Sequence, residues 1–376
     1  MNRSDVRLRQ LVMTYLVALF AGSASLLFAS SQISAPPTTI PNATSTASLE
    51  AAVAALQRRD YPQALTNFRN AAEGGNTQAM TSLGLMYRDG VGVKQDLEES
   101  RKWLVQASNA GNADAMNNLG IMYQDGVGTK VDYKEAMTWF QKAADLHNTK
   151  AMHNIAQLYE LGHGVTQDYK QALVWYGKAA DGGNAGSMLN IGKYHQNGLG
   201  VAKDYAQALT WFRKAADRGN GGAMNSIGLM YQQGQGVTKD LDESMKWYLK
   251  GADAGYPGAM YNLGSRYSEG LGVKQDNTEA LKWYRKAADA GIVEAMFFVG
   301  EAYQIGKGTS VDLTEALKWY KKMADAGEPH GMDLVGRMYE EGMGTPKDLD
   351  TAAMWFRKAA TLGDPTAKKW LSDHHI

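Results

Sequence analysis

Ala115-Met-Asn-Asn-Leu-Gly-Ile-Met-Tyr123, Gly126-Val-Gly-Thr-Lys-Val131, Asp132 and Ala136, then Trp139-Phe-Gln-Lys-Ala-Ala144, form the stretch that decides the fold. Asn112 can cap a helix whose inward face is Ala115, Met116, Leu119, Gly120 and Tyr123, the spacing of an amphipathic helix. Gly126 supplies the left-handed conformation that ends it, and Val127 packs back under the following loop. Asp132 opens a second helix, with Glu135 three residues on to reach back to the capping amide. Ala136, Trp139, Phe140, Ala143 and Ala144 give that helix one apolar face, so the unit is an antiparallel helical hairpin.

Outward from this unit the same pattern recurs at a fixed interval of 36 residues. Trp103, Trp139, Trp175, Trp211, Trp247, Trp283, Trp319 and Trp355 keep one register, and the glycine before each unit recurs everywhere except at His147. The cap recurs as Asp96/Glu99, Asp168/Gln171, Asp204/Gln207, Asp240/Glu243, Asp276/Glu279 and Asp312/Glu315, so these acidic groups read as caps and not as catalytic carboxylate pairs. One hairpin cannot bury enough surface to offset its ordering entropy; stacking supplies the rest, and the Trp, Met and Tyr stripes read as core. The expected fold is all-α, a right-handed α-α superhelical solenoid of about eighteen short helices. Residues 75–362 are eight repeats, 49–74 an N-terminal capping hairpin, and 363–376 a C-terminal capping helix and tail, where Lys368 takes a methionine position.

Residues 1–30 read as a signal peptide or an N-terminal membrane anchor. Arg3, Arg7 and Arg9 precede the apolar run Leu11 to Phe20, followed by Ala21-Gly-Ser-Ala-Ser25 and Leu26-Leu-Phe-Ala29. Residues 31–48, rich in Pro, Ser and Thr, read as a disordered tether. The expected location is outside the cytoplasm: periplasmic or secreted, or held at the inner membrane by residues 11–30. Lys plus Arg and Asp plus Glu are both 39, which leaves no basic stripe for nucleic acid. The chain has no cysteine, no H-E-x-x-H, no phosphate-cradling P-loop and no Ser-x-x-Lys, and its seven histidines show no ligand spacing. The expectation is a protein that is not an enzyme and uses no cofactor or metal. His195 takes the tyrosine position of its unit with Tyr194 displaced beside it, which reads as local repacking.

The residues quoted at the outset resemble the Sel-1-like repeat family, a branch of the tetratricopeptide superfamily with a longer loop between its helices. The resemblance covers about eight units from Gly75 to Leu362. It implies a scaffold or adaptor that binds a protein or an extended peptide, in envelope assembly, sensor regulation or host contact. One alternative is a secreted factor acting on a host protein or lipid during entry. A cell-wall or β-lactam-acting enzyme is a third class, tied to a cysteine-rich branch of the family from which this chain departs.

In stacks of this type the first helices line a concave face, and variation between units marks the binding surface. One phase reads Thr81, Asn117, His153, Leu189, Asn225, Tyr261, Phe297, Asp333; the next position carries Asn118, Asn154, Asn190 and Asn262. An amide offers two donors and an acceptor, so these asparagines can either hold a peptide backbone or bond to neighbouring helices and set repeat geometry. With Lys193 and Arg337, the protein-binding candidates are Asn117, Asn118, His153, Asn154, Asn190, Lys193, Tyr261, Asn262, Phe297 and Arg337. Phe297 and Phe298 cannot both face one core, so one of them is expected to stand exposed as an apolar anchor.

Overall fold

The computed structural model describes residues 43–375. The leader assigned to 1–30 and the tether up to residue 42 lie outside them. Among the described residues the chain forms nineteen helices. A first hairpin consists of α1 (Ala43–Gln57) and α2 (Tyr61–Glu73). There follow α3 (Thr77–Asp89), α4 (Leu97–Asn109), α5 (Ala113–Asp125), α6 (Tyr133–Asp145), α7 (Thr149–Leu161), α8 (Tyr169–Asp181) and α9 (Ala185–Asn197). Beyond them lie α10 (Tyr205–Asp217), α11 (Gly221–Gln233), α12 (Leu241–Asp253), α13 (Pro257–Glu269), α14 (Asn277–Asp289), α15 (Val293–Ile305), α16 (Leu313–Asp325), α17 (Pro329–Glu341), α18 (Leu349–Thr361) and α19 (Pro365–Asp373). The chain divides into two compact units, one ending at Ser187 and the other beginning at Met188. Each is an all-α stack of helical hairpins, the solenoid class expected from the period. Helix α1 begins at Ala43 and not at Leu49, so the last six residues assigned to the tether are helical, with Ser45 buried.

The helices begin and end for the reasons read in one repeat. Asp132 accepts from the backbone N–H of Lys134 and Glu135; Asp96, Asp168 and Asp276 make the same pair of bonds, and Asp204, Asp240, Asp312 and Asp348 accept from the N–H three residues on. The reciprocal half of that cap is absent. The N–H of Asp132 already donates to the Tyr123 carbonyl at 2.8 Å, so Glu135 has no amide to reach. Freed from it, the equivalent Glu243, Glu279 and Glu315 pair with Lys246, Lys282 and Lys318 one turn on. Each first helix from α3 to α7 ends in a left-handed glycine. Gly128, at φ +70°, has a second constraint: a Cβ there would come within 2.8 Å of Leu97, where the loop touches the preceding hairpin.

The asparagine before a first helix does more than cap it. Asn148 accepts from Ala151 N–H at 2.9 Å and donates its amide to Asp114 of the preceding repeat at 3.0 Å. Asn112 and Asn184 make the same double link, to Thr77 and to the Thr149 carbonyl. Each is a staple between successive hairpins. In the second unit Asn220 still caps α11, but Tyr256, Ile292 and Glu328 give no side-chain cap to α13, α15 and α17.

The core does not centre on the tryptophans. Of the eight, only Trp319 is fully buried; the other seven are half-buried. The residue after each tryptophan is the fully enclosed one: Phe140, Tyr176, Phe212, Tyr248, Tyr320 and Phe356 are all at 1% exposure or less. Phe140, Phe212, Tyr248, Tyr320 and Phe356 press on the bare backbone of a glycine in the first helix. A Cβ on Gly228 would stand 2.7 Å from the Tyr248 ring, and one on Gly336 would stand 2.8 Å from Phe356. The tryptophan one position earlier lies at the helix edge, where the lysine one turn on covers it: Lys142, Lys178, Lys214, Lys250, Lys286, Lys322 and Lys358 all lie within 4.3 Å of an indole centroid.

Candidate binding wall

The first helices carry the candidate residues, and in the N-terminal unit four of them come together. Asn117 and Asn118, on α5, are almost entirely buried. Asn154, one repeat on in α7, donates its amide to Asn117 Oδ1 at 2.9 Å, while Asn118 donates back to the Asp114 carbonyl at 2.8 Å. His153 Nδ1 lies 2.8 Å from Ser187 Oγ, and its ring centroid is 5.3 Å from that of Tyr176. Burial lowers the His153 pKa to about 4, because the imidazolium would lose its water there. The ring is neutral at physiological pH.

These groups face a cavity of about 410 Å³ lined by Arg88, Asn117, Asn118, Ile121, Lys150, His153, Asn154, Asn184 and Gly186. Its walls come from four successive first helices, α3, α5, α7 and the start of α9. Two of the lining residues are cations: Arg88 forks onto Asp89 with both contacts under 3 Å, and Lys150 stands 3.9 Å from Asp114. What remains is a set of neutral donors and acceptors around one aliphatic side chain. That set complements a secondary amide, which has one donor, one acceptor and apolar flanks.

The cavity residues absent from the sequence candidates are Arg88, Ile121, Lys150, Asn184 and Gly186. Gly186 carried a legible signal, because at its phase the preceding units have Gln78, Asp114 and Lys150, and a bare position there leaves space.

The other six candidates lie in the second unit and form no such cavity. Asn190 is half-buried and Lys193 exposed, both on α9. Asn262 donates to Asn225 Oδ1 at 2.7 Å, repeating the bond between Asn154 and Asn117. Where the earlier repeat has asparagine at one phase and the later repeat has it at the next, the two amides bond; this is the geometry-setting role. Arg337 donates from Nε to Asp333 Oδ2 at 2.8 Å, and Asp333 is 2% exposed.

The expectation for the phenylalanine pair fails: neither ring stands exposed. Phe298 stacks on Tyr284 of its neighbour α14 at 4.8 Å, whereas Phe297 turns towards Tyr320 and His330 at 6.4 and 5.5 Å. With Tyr261, 6.1 Å from Phe298, they make a continuous aromatic wall.

A stack of helical hairpins with a wall of variable first-helix residues defines a repeat-scaffold class of protein. The Sel1 repeat model matches residues 56–76, 77–112, 113–148, 149–184, 185–220, 222–256, 257–292, 293–328 and 329–364, and the chain belongs to the Sel1 repeat family. The first match falls within the N-terminal hairpin, so the repeat extends one partial unit beyond the eight counted by tryptophan. A crystal structure of a protective antigen present in uropathogenic Escherichia coli strains, with the same repeat fold, is 31% identical over 88% of this chain and 71% of that one, at a TM-score of 0.54. A Sel1 repeat protein from Oxalobacter formigenes is 27% identical over 92% of this chain and 98% of its own, at a TM-score of 0.61. No curated protein gives a significant match. Repeats of this family typically serve protein or peptide binding.

Proposed function

We propose that this chain is an exported, non-catalytic scaffold that binds an extended peptide or protein segment on its first-helix wall, with one main-chain amide of the partner seated in the cavity of the N-terminal unit. The supporting observation is the cavity itself: neutral amides from successive repeats, a neutral imidazole and Ile121 surround a space of peptide dimensions. Asn117 and Asn154 hold each other first, and their remaining donors and acceptors are the ones available to a ligand. Export rests on the arginine-led apolar leader of the sequence, ahead of residues that remain near charge balance.

The test fills the cavity. A Cβ on Gly186 would stand 3.3 Å from Asn184 Oδ1 and 3.6 Å from His153 Cε1, so a shift of a few tenths of an ångström in the Asn184 side chain admits it, and Gly186→Leu should block the space while preserving the fold. Affinity capture from envelope extracts with the full chain should yield a partner that Gly186→Leu and Ile121→Asp each lose by about tenfold or more, at unchanged helicity. Equal capture by parent and variants would reject the cavity as the binding site.

A second reading, a secreted host-directed factor, draws on the relative described as a protective antigen of uropathogenic strains. Fractionation separates the two: an envelope scaffold stays with the cells, and a host-directed factor accumulates in the medium.

A further inference from the structure

Helix α13 combines a missing cap, which it shares with α15 and α17, with a core substitution found in no other first helix. The core position held by Met122 in α5, Met230 in α11 and Met338 in α17 is occupied in α13 by Arg266, which is only 3% exposed. Its Nη1 and Nη2 atoms have no hydrogen-bond partner, and no carboxylate among the described residues pairs with it. The guanidinium lies over the Tyr248 ring at 5.6 Å, where its charge opposes the rise that burial gives the Tyr248 pKa, while the Tyr248 hydroxyl donates to Gln232 Oε1 at 2.6 Å; the arginine is set against a neutral phenol and not against a carboxylate. A guanidinium cannot shed its charge, and an unpaired buried cation favours any state in which water reaches it.

The same helix also lacks the staple. Tyr256 stands where Asn112 and Asn148 stand, makes no side-chain cap, and lays its ring on Gly222 and Gly258 instead. The next repeat adds a core position cut down from methionine to Ala302, beside a void of about 20 Å³ that also borders Tyr284 and Phe298. Asn277, the first residue of α14, has a buried Oδ1 with no partner. Charge, cap and packing therefore all weaken one hairpin.

We infer that the hairpin of α13 and α14 is a built-in joint, the place where the C-terminal unit opens locally before it unfolds, and that Arg266 sets how readily it does so. Opening exposes Arg266 to water and moves Tyr261 and Asn262, which gives this part of the wall a second conformation to offer a partner. The free energy of local opening is what hydrogen exchange reads.

The test is amide hydrogen exchange on the full chain, followed by peptide-level mass spectrometry. In the parent, α13 and α14 should exchange at least about tenfold faster than the structurally equivalent α5 and α6. Arg266→Met should slow exchange in α13 and α14 by on the order of 100-fold and leave α5 and α6 unchanged. Protection of α13 and α14 equal to that of α5 and α6 in the parent would overturn the inference, a result that needs no variant. So would an Arg266→Met protein that folds and exchanges there at the parent rate.

Discussion

The N-terminal and C-terminal units are cut from one 36-residue pattern, yet they hold their first helices differently. In the first, asparagines at 112, 148 and 184 tie each hairpin to the one before it, and the wall opens into an amide-lined cavity. In the second, three of those caps are Tyr256, Ile292 and Glu328, and aromatic rings fill the wall. The shared core is therefore enough for the fold, while the caps and the wall are free to diverge. Local stability and binding chemistry can be adjusted in one repeat without disturbing the rest.

The largest expected effects test what the units share. Phe140→Ala and Phe356→Ala, one in each, should both cost about 3–5 kcal/mol in urea unfolding, since each empties the space against a helix glycine. Trp211→Ala should cost less than Phe212→Ala, because the indole is half-buried under Lys214; the opposite ranking would restore the tryptophan as the core anchor.

The next effect belongs to the first unit alone. The folded His153 pKa, about 4, lies below its ordinary value of 6.5, so the unfolded chain binds more protons between these values. Its contribution is complete above about pH 6.5 and disappears as pH falls towards 4, on the order of 3 kcal/mol in all. His153→Asn, the residue found at this phase in Asn117 and Asn225, should flatten the slope of melting temperature with pH over that range. A parent and variant with parallel slopes would refute the assignment.

Smaller changes probe the staples. Asn148→Ala should cost about 1–2 kcal/mol, and Glu328→Asn, which supplies a missing cap, should gain about 0.5–1 kcal/mol. If both are neutral, the two units are not distinguished by capping. Last, His147 holds φ +61° where the other units have glycine, so His147→Gly should stabilise by about 1 kcal/mol in thermal melts.

Much of this was legible in a single repeat. Asp132, Gly126 and the apolar stripe of Ala136, Phe140 and Ala143 identify the helices and their ends, because capping and periodicity are local properties. The capping box misled: nothing local reveals that the Asp132 amide is already taken by Tyr123. The tryptophan misled as well, since the most regular residue marks the edge of the packed layer and the variable ring beside it marks the centre. For the wall, the sequence singled out two phases of the first helices, and the structure brings Asn117, Asn118, His153 and Asn154 from those phases into one place. It missed Gly186, where the signal is a side chain that is absent.

The sequence alone determined the period, the hairpin and the family, since a pattern repeated over some three hundred residues leaves one economical way to bury its apolar stripes. Only the tertiary structure decided which ring fills the core, which asparagines bond each other across repeats, and where the wall leaves a cavity. Those outcomes depend on side chains 16 to 37 residues apart meeting at ångström distances, and no local spacing rule carries that information.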